Sequence, residues 1–441
     1  IGPSFIILGV GLGSGELILW PYLTANFGLG IIWAAVVGIT MQFFINMEIE
    51  RYTLVTGESV FMGLTRKFGN WVPVWFLVTT LLPWMWPGII AAAAKVLAAA
   101  AGAEYTRWWG MALLLVVGVT FNFGRIVYKT QERVQKAIIV VGVPFILGLT
   151  VWLAGRADWA ALLAGLVGRG EGFAWLPTGL PMATFLAALA YAGAGGNLNL
   201  AQSLYIKEKG YGMGKYAGRI ANVWGDGQEE TVVEGEKFEV TPENLTRFKL
   251  WWKRINVEHG IVFWATGAMT MLLLSLLAYV TVYKHPAVET SINFVILEAV
   301  EIGQRGWPGL GIIFLVLVGV MLFGTQFSVF GSNSRIAGEN LAIMLRHKGA
   351  HRQLHKLFYG FLWLQVVVGM LIFGLGFTEP LQLVVIGAVM NAVSMFVYTG
   401  LVLFLNMTAL EKPLRPAKWR VLAVLGAFVF YGIFSILTVL G

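Results

Sequence analysis

The 441-residue chain contains no cysteine. That absence excludes disulfides, thiolate metal sites and a cysteine nucleophile, and it leaves the redox compartment unread. Charge is nearly as scarce. Asp, Glu, Lys and Arg together make up 12% of the residues, about half of the ~25% usual in soluble domains. No nucleotide-binding Gly-rich loop with its lysine occurs, which argues against an ATP-driven pump. No enzyme motif appears, so no catalytic residue and no cofactor is expected. A basic leader before the first apolar run is also missing, and that run is long, so no cleavable signal peptide is expected.

What the chain has is apolar surface: 58% hydrophobic residues and a mean hydropathy of +0.75. Apolar runs of about 20 residues recur, each long enough to cross ~30 Å of hydrocarbon. A β-barrel would instead show alternating segments of ~10 residues. The reading is an all-α polytopic membrane protein with eleven spans. They fall near 3–26, 29–50, 71–102, 108–125, 137–155, 181–206, 257–283, 308–345, 354–377, 380–407 and 419–440.

Charge sets the expected orientation. With the N-terminus cytoplasmic, the inside loops hold 25 Lys and Arg and the outside loops hold 5. This follows the positive-inside rule and puts the C-terminus outside. It also accounts for the net charge of +8 without nucleic acid. A bacterial inner membrane is the expected location, with the lipid bilayer and a small solute or inorganic cation as partners. Residues 208–254 read as a cytoplasmic insertion, with a hairpin expected from Asp226-Gly227 and the alternating stretch Val232–Val240. The sequon at Asn244 lies on that side and reads as chance.

Two spans carry clusters that a plain transmembrane helix would not. The first includes Gly9-Val10-Gly11-Leu12-Gly13-Ser14-Gly15-Glu16, ending at Pro21. Each Gly weakens a helix by roughly 1 kcal/mol, and a carboxylate at membrane depth costs several kcal/mol. The sixth includes Tyr191-Ala192-Gly193-Ala194-Gly195-Gly196-Asn197-Leu198-Asn199, with Gln202 beyond. Such glycines serve either close helix packing or a broken helix at a substrate site. The polar residues beside both clusters favour breaks. Breaks in spans one and six, five spans apart, fit an inverted repeat of five helices. The expected layout is one transporter domain over 1–441. Repeat one covers about 1–155, repeat two about 181–407, and an extra helix 419–440.

The residues also carry a family likeness. Gly2-Pro3-Ser4-Phe5, Asn197-Leu198-Asn199-Leu200-Ala201-Gln202-Ser203, and Gly324-Thr325-Gln326-Phe327-Ser328 followed by Gly331 and Ala337-Gly338-Glu339-Asn340 resemble segments of the first, sixth and eighth helices of the Nramp divalent-metal transporters. That resemblance covers nearly the whole chain and implies the LeuT-like fold, a 5+5 inverted repeat plus an eleventh helix, with helices one and six broken. The departures are informative. Where the family has Asp-Pro-Gly-Asn, this chain has Gly13-Ser14-Gly15-Glu16; where it has Met-Pro-His, this chain has Ala194-Gly195-Gly196. The soft donors that favour late transition metals are therefore gone, and the third span offers Pro83-Trp84-Met85-Trp86-Pro87 in place of an acidic path.

Two substrate classes remain. A hard cation such as Mg²⁺ keeps waters and needs few protein oxygens, with Glu16 and Asn197 as metal ligands. A small organic solute (an amino acid, amine or polyol) would use Gly13, Ser14, Gly15, Glu16, Ala194, Gly195, Gly196, Asn197, Asn199 and Gln202, with Trp20, Trp84, Trp86 and Tyr191 as walls. Thr325, Ser328 and Ser332 are candidates for coupled Na⁺, against the alternative that they bond their own backbone. A receptor that binds without transport is a third class, disfavoured by the paired breaks. Lys95 is expected to snorkel, Arg335 and Glu339 to pair at i, i+4, and His347, His351 and His355 to form a solvated basic face rather than a zinc site.

Overall fold

The computed structural model describes residues 2–123, 126–170, 172–218, 220, 232–285, 288, 292–346 and 353–440. Eight helices among these residues are long and apolar enough to cross a membrane: Pro3–Phe27, Leu29–Thr56, Trp71–Ala100, Val127–Leu153, Pro242–Val282, Pro308–Met344, Leu354–Gly374 and Pro380–Ala409. Three further elements complete eleven spans in the order the apolar runs predict. They are the shorter helix Arg107–Thr120, the helix pair Met182–Ala190 and Ala201–Lys209, and Lys418–Leu440.

The first span occupies the centre. Every residue in its most apolar window is buried, against 33% for the ninth span, Leu354–Gly374. Rim helices turn apolar side chains outward, as Leu371, Leu422 and Ile436 do. Lipid rather than water is the medium such surfaces suit. The third span kinks at its Pro-rich middle. Helix Trp71–Trp84 ends there and Gly88–Ala100 begins, because Pro83 and Pro87 lack the amides a continuous helix requires. The tenth span packs into that kink; a Cβ on Gly387 would stand 2.6 Å from the Pro83 carbonyl oxygen.

The insertion differs from its expected form. The stretch Val232–Val240 contains no strand, and the second half is helical, since Pro242 opens a helix that runs on through the seventh span. Thr241 caps it by accepting from the Asn244 amide. Asp226-Gly227 lies outside the described residues, as do His347 and His351. The strands observed among the described residues are the two-residue pair Arg169–Gly170 and Phe173–Ala174.

Candidate functional site

The first and sixth spans meet through their glycines. The sixth span is interrupted as expected. Helix Met182–Ala190 stops, Tyr191–Gly195 are irregular, a 3₁₀ turn covers Gly196–Leu200, and helix resumes at Ala201. Gly193, Gly195 and Gly196 adopt φ of +126°, +74° and +54°, a region that residues with a Cβ rarely enter. Gln42 on the second span clamps the gap. Its Nε2 donates to the Ala190 carbonyl at 3.0 Å, and its Oε1 accepts from the Gly195 amide at 3.1 Å.

The first span corrects the sequence expectation. It stays wound throughout, and Leu12–Leu19 form a π-helical stretch in which the Trp20 amide reaches back to the Gly15 carbonyl. Its glycines allow close approach instead of a break. A Cβ on Gly15 would overlap the Tyr191 carbonyl, and one on Gly11 would lie 2.9 Å from the Gly193 carbonyl carbon. One on Gly13 would lie 2.7 Å from Thr325. The π-helical widening is still a local departure of the kind found at functional sites.

The expected polar residues are all buried, but they do not share one partner. Asn197 donates to Thr79 and Thr80 of the third span at 2.8 and 3.0 Å. Asn199 donates to the Tyr398 hydroxyl of the tenth at 2.9 Å. Gln202 donates to Glu50 of the second at 2.6 Å. Glu16 faces the seventh span, where a Cβ on Gly267 would be 3.3 Å from its Oε1, beside Leu8 and Ile39. No hydrogen bond joins Glu16 to Asn197. Their neighbours differ: Glu16 lies against the seventh span and Asn197 against the third. Among the described residues, no group of three or more His, Asp or Glu could hold a metal ion.

The bonding state of these groups is informative. Both oxygens of Glu16 lack a hydrogen-bond partner, as do the Ser14 hydroxyl and the side-chain oxygens of Asn197, Asn199, Gln202 and Asn391. In each of the four amides the NH₂ is committed and the acceptor is left over. A buried carboxylate without a partner is costly. The chemistry short of supply here is a cation or a hydrogen-bond donor.

Around the break, Trp84 stacks on Tyr191 with ring centroids 5.0 Å apart, and the Tyr191 hydroxyl accepts from Asn391 at 2.9 Å. Trp20 meets Phe185 edge-on, and Trp86 is half-buried. Thr325 donates to the Gly9 carbonyl at 2.8 Å, joining the eighth span to the first. Ser332 bonds the Ser328 carbonyl and the Tyr205 hydroxyl, while the Ser328 hydroxyl is unpartnered. Gln42 and Asn391 were not anticipated. A lone amide in an apolar run has no spacing signal, only its polarity.

The sixth span ends in a charged layer. Arg335 pairs with Glu208 at 2.6 Å and Lys207 with Glu339 at 2.9 Å, all four buried. Lys209 reaches Glu132 of the fifth span at 3.0 Å. Arg335 and Glu339 therefore do not pair with each other as their spacing predicts, since each has a closer partner across the helix interface.

Comparison with known proteins fits this geometry. By sequence, no family model and no curated protein matches the chain. By structure, a manganese transporter from Eremococcus coleocola superposes with a TM-score of 0.70 at 13% identity, covering 99% of this chain and 85% of that one. The nucleobase-cation-symport-1 family transporter Mhp1 matches at 0.51 and 13% identity, over 98% and 91% of the two chains. MhsT, solved with L-phenylalanine, matches at 0.51 and 13%, over 99% and 97%. The chain has the Nramp-like LeuT fold. The first two of these structures are described as transporters.

Proposed function

We propose that the protein is a secondary transporter that moves a small cation by alternating access, with Glu16 as the charge of its site. One observation carries this reading: a wholly buried carboxylate, neither oxygen partnered, in a π-helical stretch packed on a broken helix. Ionisable residues at such depth are functional by default. The likeness to a manganese transporter supports a metal ion. The absence of soft donors at Ala194-Gly195-Gly196 favours a hard ion of the Mg²⁺ kind, which retains waters and needs one or two carboxylates. Repeats of about 1–155 and 181–407 would rock against each other, with 419–440 as an added helix. The N-terminus would face the cytoplasm and the C-terminus the outside of a bacterial inner membrane. Na⁺ at Thr325, Ser328 and Ser332 would have to displace the bonds that the Thr325 and Ser332 hydroxyls now make.

A second reading is an organic solute bearing an ammonium group. The stacked Trp84–Tyr191 pair at the break favours it, as does the likeness to MhsT. Flux into proteoliposomes separates the two, using Mg²⁺, Mn²⁺, amino acids, amines and polyols as a panel. Uptake of Mg²⁺ that Mn²⁺ does not outcompete, abolished by Glu16→Gln, is expected. Uptake of an amine or amino acid alone would select the second reading. Uptake unchanged in both Glu16→Gln and Glu16→Ala would remove Glu16 from the site.

A further inference from the structure

The transport reading leaves a buried acid–base pair unused. Glu50 on the second span and His259 on the seventh are 1% and 0% exposed. Nδ1 of His259 lies 3.3 Å from Oε1 of Glu50 and 3.1 Å from the Ser4 hydroxyl. The same Glu50 oxygen accepts from Gln202 at 2.6 Å. The first, second, sixth and seventh spans thus converge on two titratable groups. The imidazole is stacked between Phe43 and Phe263, with centroids 5.7 and 4.6 Å away. Its Nε2 has no hydrogen-bond partner. With the Nδ1 hydrogen directed at Glu50 or Ser4, Nε2 presents a bare lone pair. The seventh span also turns π-helical at Gly260–Ala265, immediately after His259, a feature that clusters at functional sites.

The other charges nearby are already engaged. Glu258 accepts from the Gly2 amide at 2.8 Å and from the Tyr211 hydroxyl at 2.9 Å. Glu48 and Arg51 of the second span pair with each other. Lys207 and Lys209 of the sixth turn to Glu339 and Glu132. Among the ionisable groups of this cluster, Glu50 and His259 are left facing one another.

We propose that Glu50 and His259 are the proton-binding site that couples transport to a proton gradient. This rests on the transporter reading and places the coupling ion apart from Glu16. The neutral imidazole keeps its one hydrogen on Nδ1, and the pair takes up one further proton, on Nε2 or on the Glu50 carboxylate, with the same net charge either way. Ser4 and Gln202 belong to the first and sixth spans, the elements whose rearrangement gives access in this fold. Their departure would take the amide donor from Glu50 and the hydroxyl from His259 Nδ1. The proton affinity of the pair therefore differs between states, which is the thermodynamic condition for coupling. Phe263 links the pair to the break, since a Cβ on Gly193 would come within 2.8 Å of its ring.

The test uses full-length protein in two measurements. Liposomes carrying a pH dye are given Mg²⁺, with a Na⁺ gradient as the comparison. Purified protein is titrated with pH while the carboxyl and imidazole infrared bands are followed. Mg²⁺ uptake is expected to move protons in the wild type, and Na⁺ to be without effect. Glu50→Gln and His259→Gln should each take up Mg²⁺ without moving protons, and each should erase the same infrared transition. Ser4→Ala, a milder change beside the pair, should shift that transition without erasing it. Uptake without proton movement in the wild type, or with it in either variant, overturns the proposal. If Mg²⁺ is not transported at all, the cation reading fails. The wild-type titration then decides alone: a transition erased by both substitutions supports the proton site, and its absence overturns it.

Discussion

At the residue scale, Gly15 makes the sharpest prediction. Its α-carbon faces the Tyr191 carbonyl so closely that a methyl group cannot fit unless backbone moves. Gly15→Ala should destabilise the protein by about 1–3 kcal/mol, the usual range for overpacking. Gly148→Ala, where nothing lies within 4 Å of the new Cβ, should be neutral or slightly stabilising. Melting temperatures in detergent compare the two. Tyr105, in the segment joining the third and fourth spans, supplies a pH test. Burial, then the nearby Glu379 charge, raises its hydroxyl from 10.0 to about 12, and it donates to the Thr378 carbonyl at 3.2 Å. The folded form holds this proton more tightly, so its contribution is fully present below pH 10.0 and is lost as pH rises toward about 12. Tyr105→Phe should flatten the fall of melting temperature across that window.

Glycine also shows where the sequence was legible and where it was not. The cluster at Gly193, Gly195 and Gly196 reads as a break and is one, because positive φ is what glycine uniquely supplies. The cluster at Gly11, Gly13 and Gly15 reads the same way but serves contact, and only the neighbouring helix distinguishes these uses. Glu50 and His259 were invisible for a related reason. Each stands beside other charged residues at the end of its run, Glu48 and Arg51 for one and Glu258 for the other, and they lie 209 positions apart, so nothing short of the fold unites them.

At the scale of elements, span positions were legible because each apolar run must be satisfied by its own backbone hydrogen bonds. Which charges meet across helices was not. Arg335 and Glu339 sit at ideal i, i+4 spacing, yet burial against the sixth span gives each a different partner. Truncating one member of a buried pair leaves an uncompensated charge, at a cost of about 3–5 kcal/mol. Arg335→Met should therefore destabilise the protein strongly, and Glu208→Met added to it should restore much of the loss. The chain has no cysteine, so Ile206→Cys provides a clean reporter. Its labelling should rise in Arg335→Met as the end of the sixth span loosens, and a labelling rate unchanged by that substitution would count against the fastening role.

For the whole molecule, the charge bias and the odd number of spans predict termini on opposite faces. An impermeant thiol reagent should label Ala157→Cys, in a loop assigned to the outside, in right-side-out vesicles. Tyr216→Cys, on the insertion, should react only after permeabilisation. Both side chains are exposed, so the reversed pattern would invert the topology.

The eighth span has a mechanical consequence. Its 37 residues make a rod ~55 Å long at 1.5 Å per residue, well beyond the ~30 Å hydrocarbon slab. Thr325, which bonds the Gly9 carbonyl of the first span, sits near the midpoint, where it would serve as a fulcrum. A tilt of ~10° there swings the far end by ~5 Å, about one helical turn. That exceeds the reach of a salt bridge. Glu339, 14 residues beyond Thr325 and so ~21 Å along the rod, would move by ~4 Å under that tilt, and a tilt set by occupancy deep in the membrane would be read as the making or breaking of charge pairs near its surface.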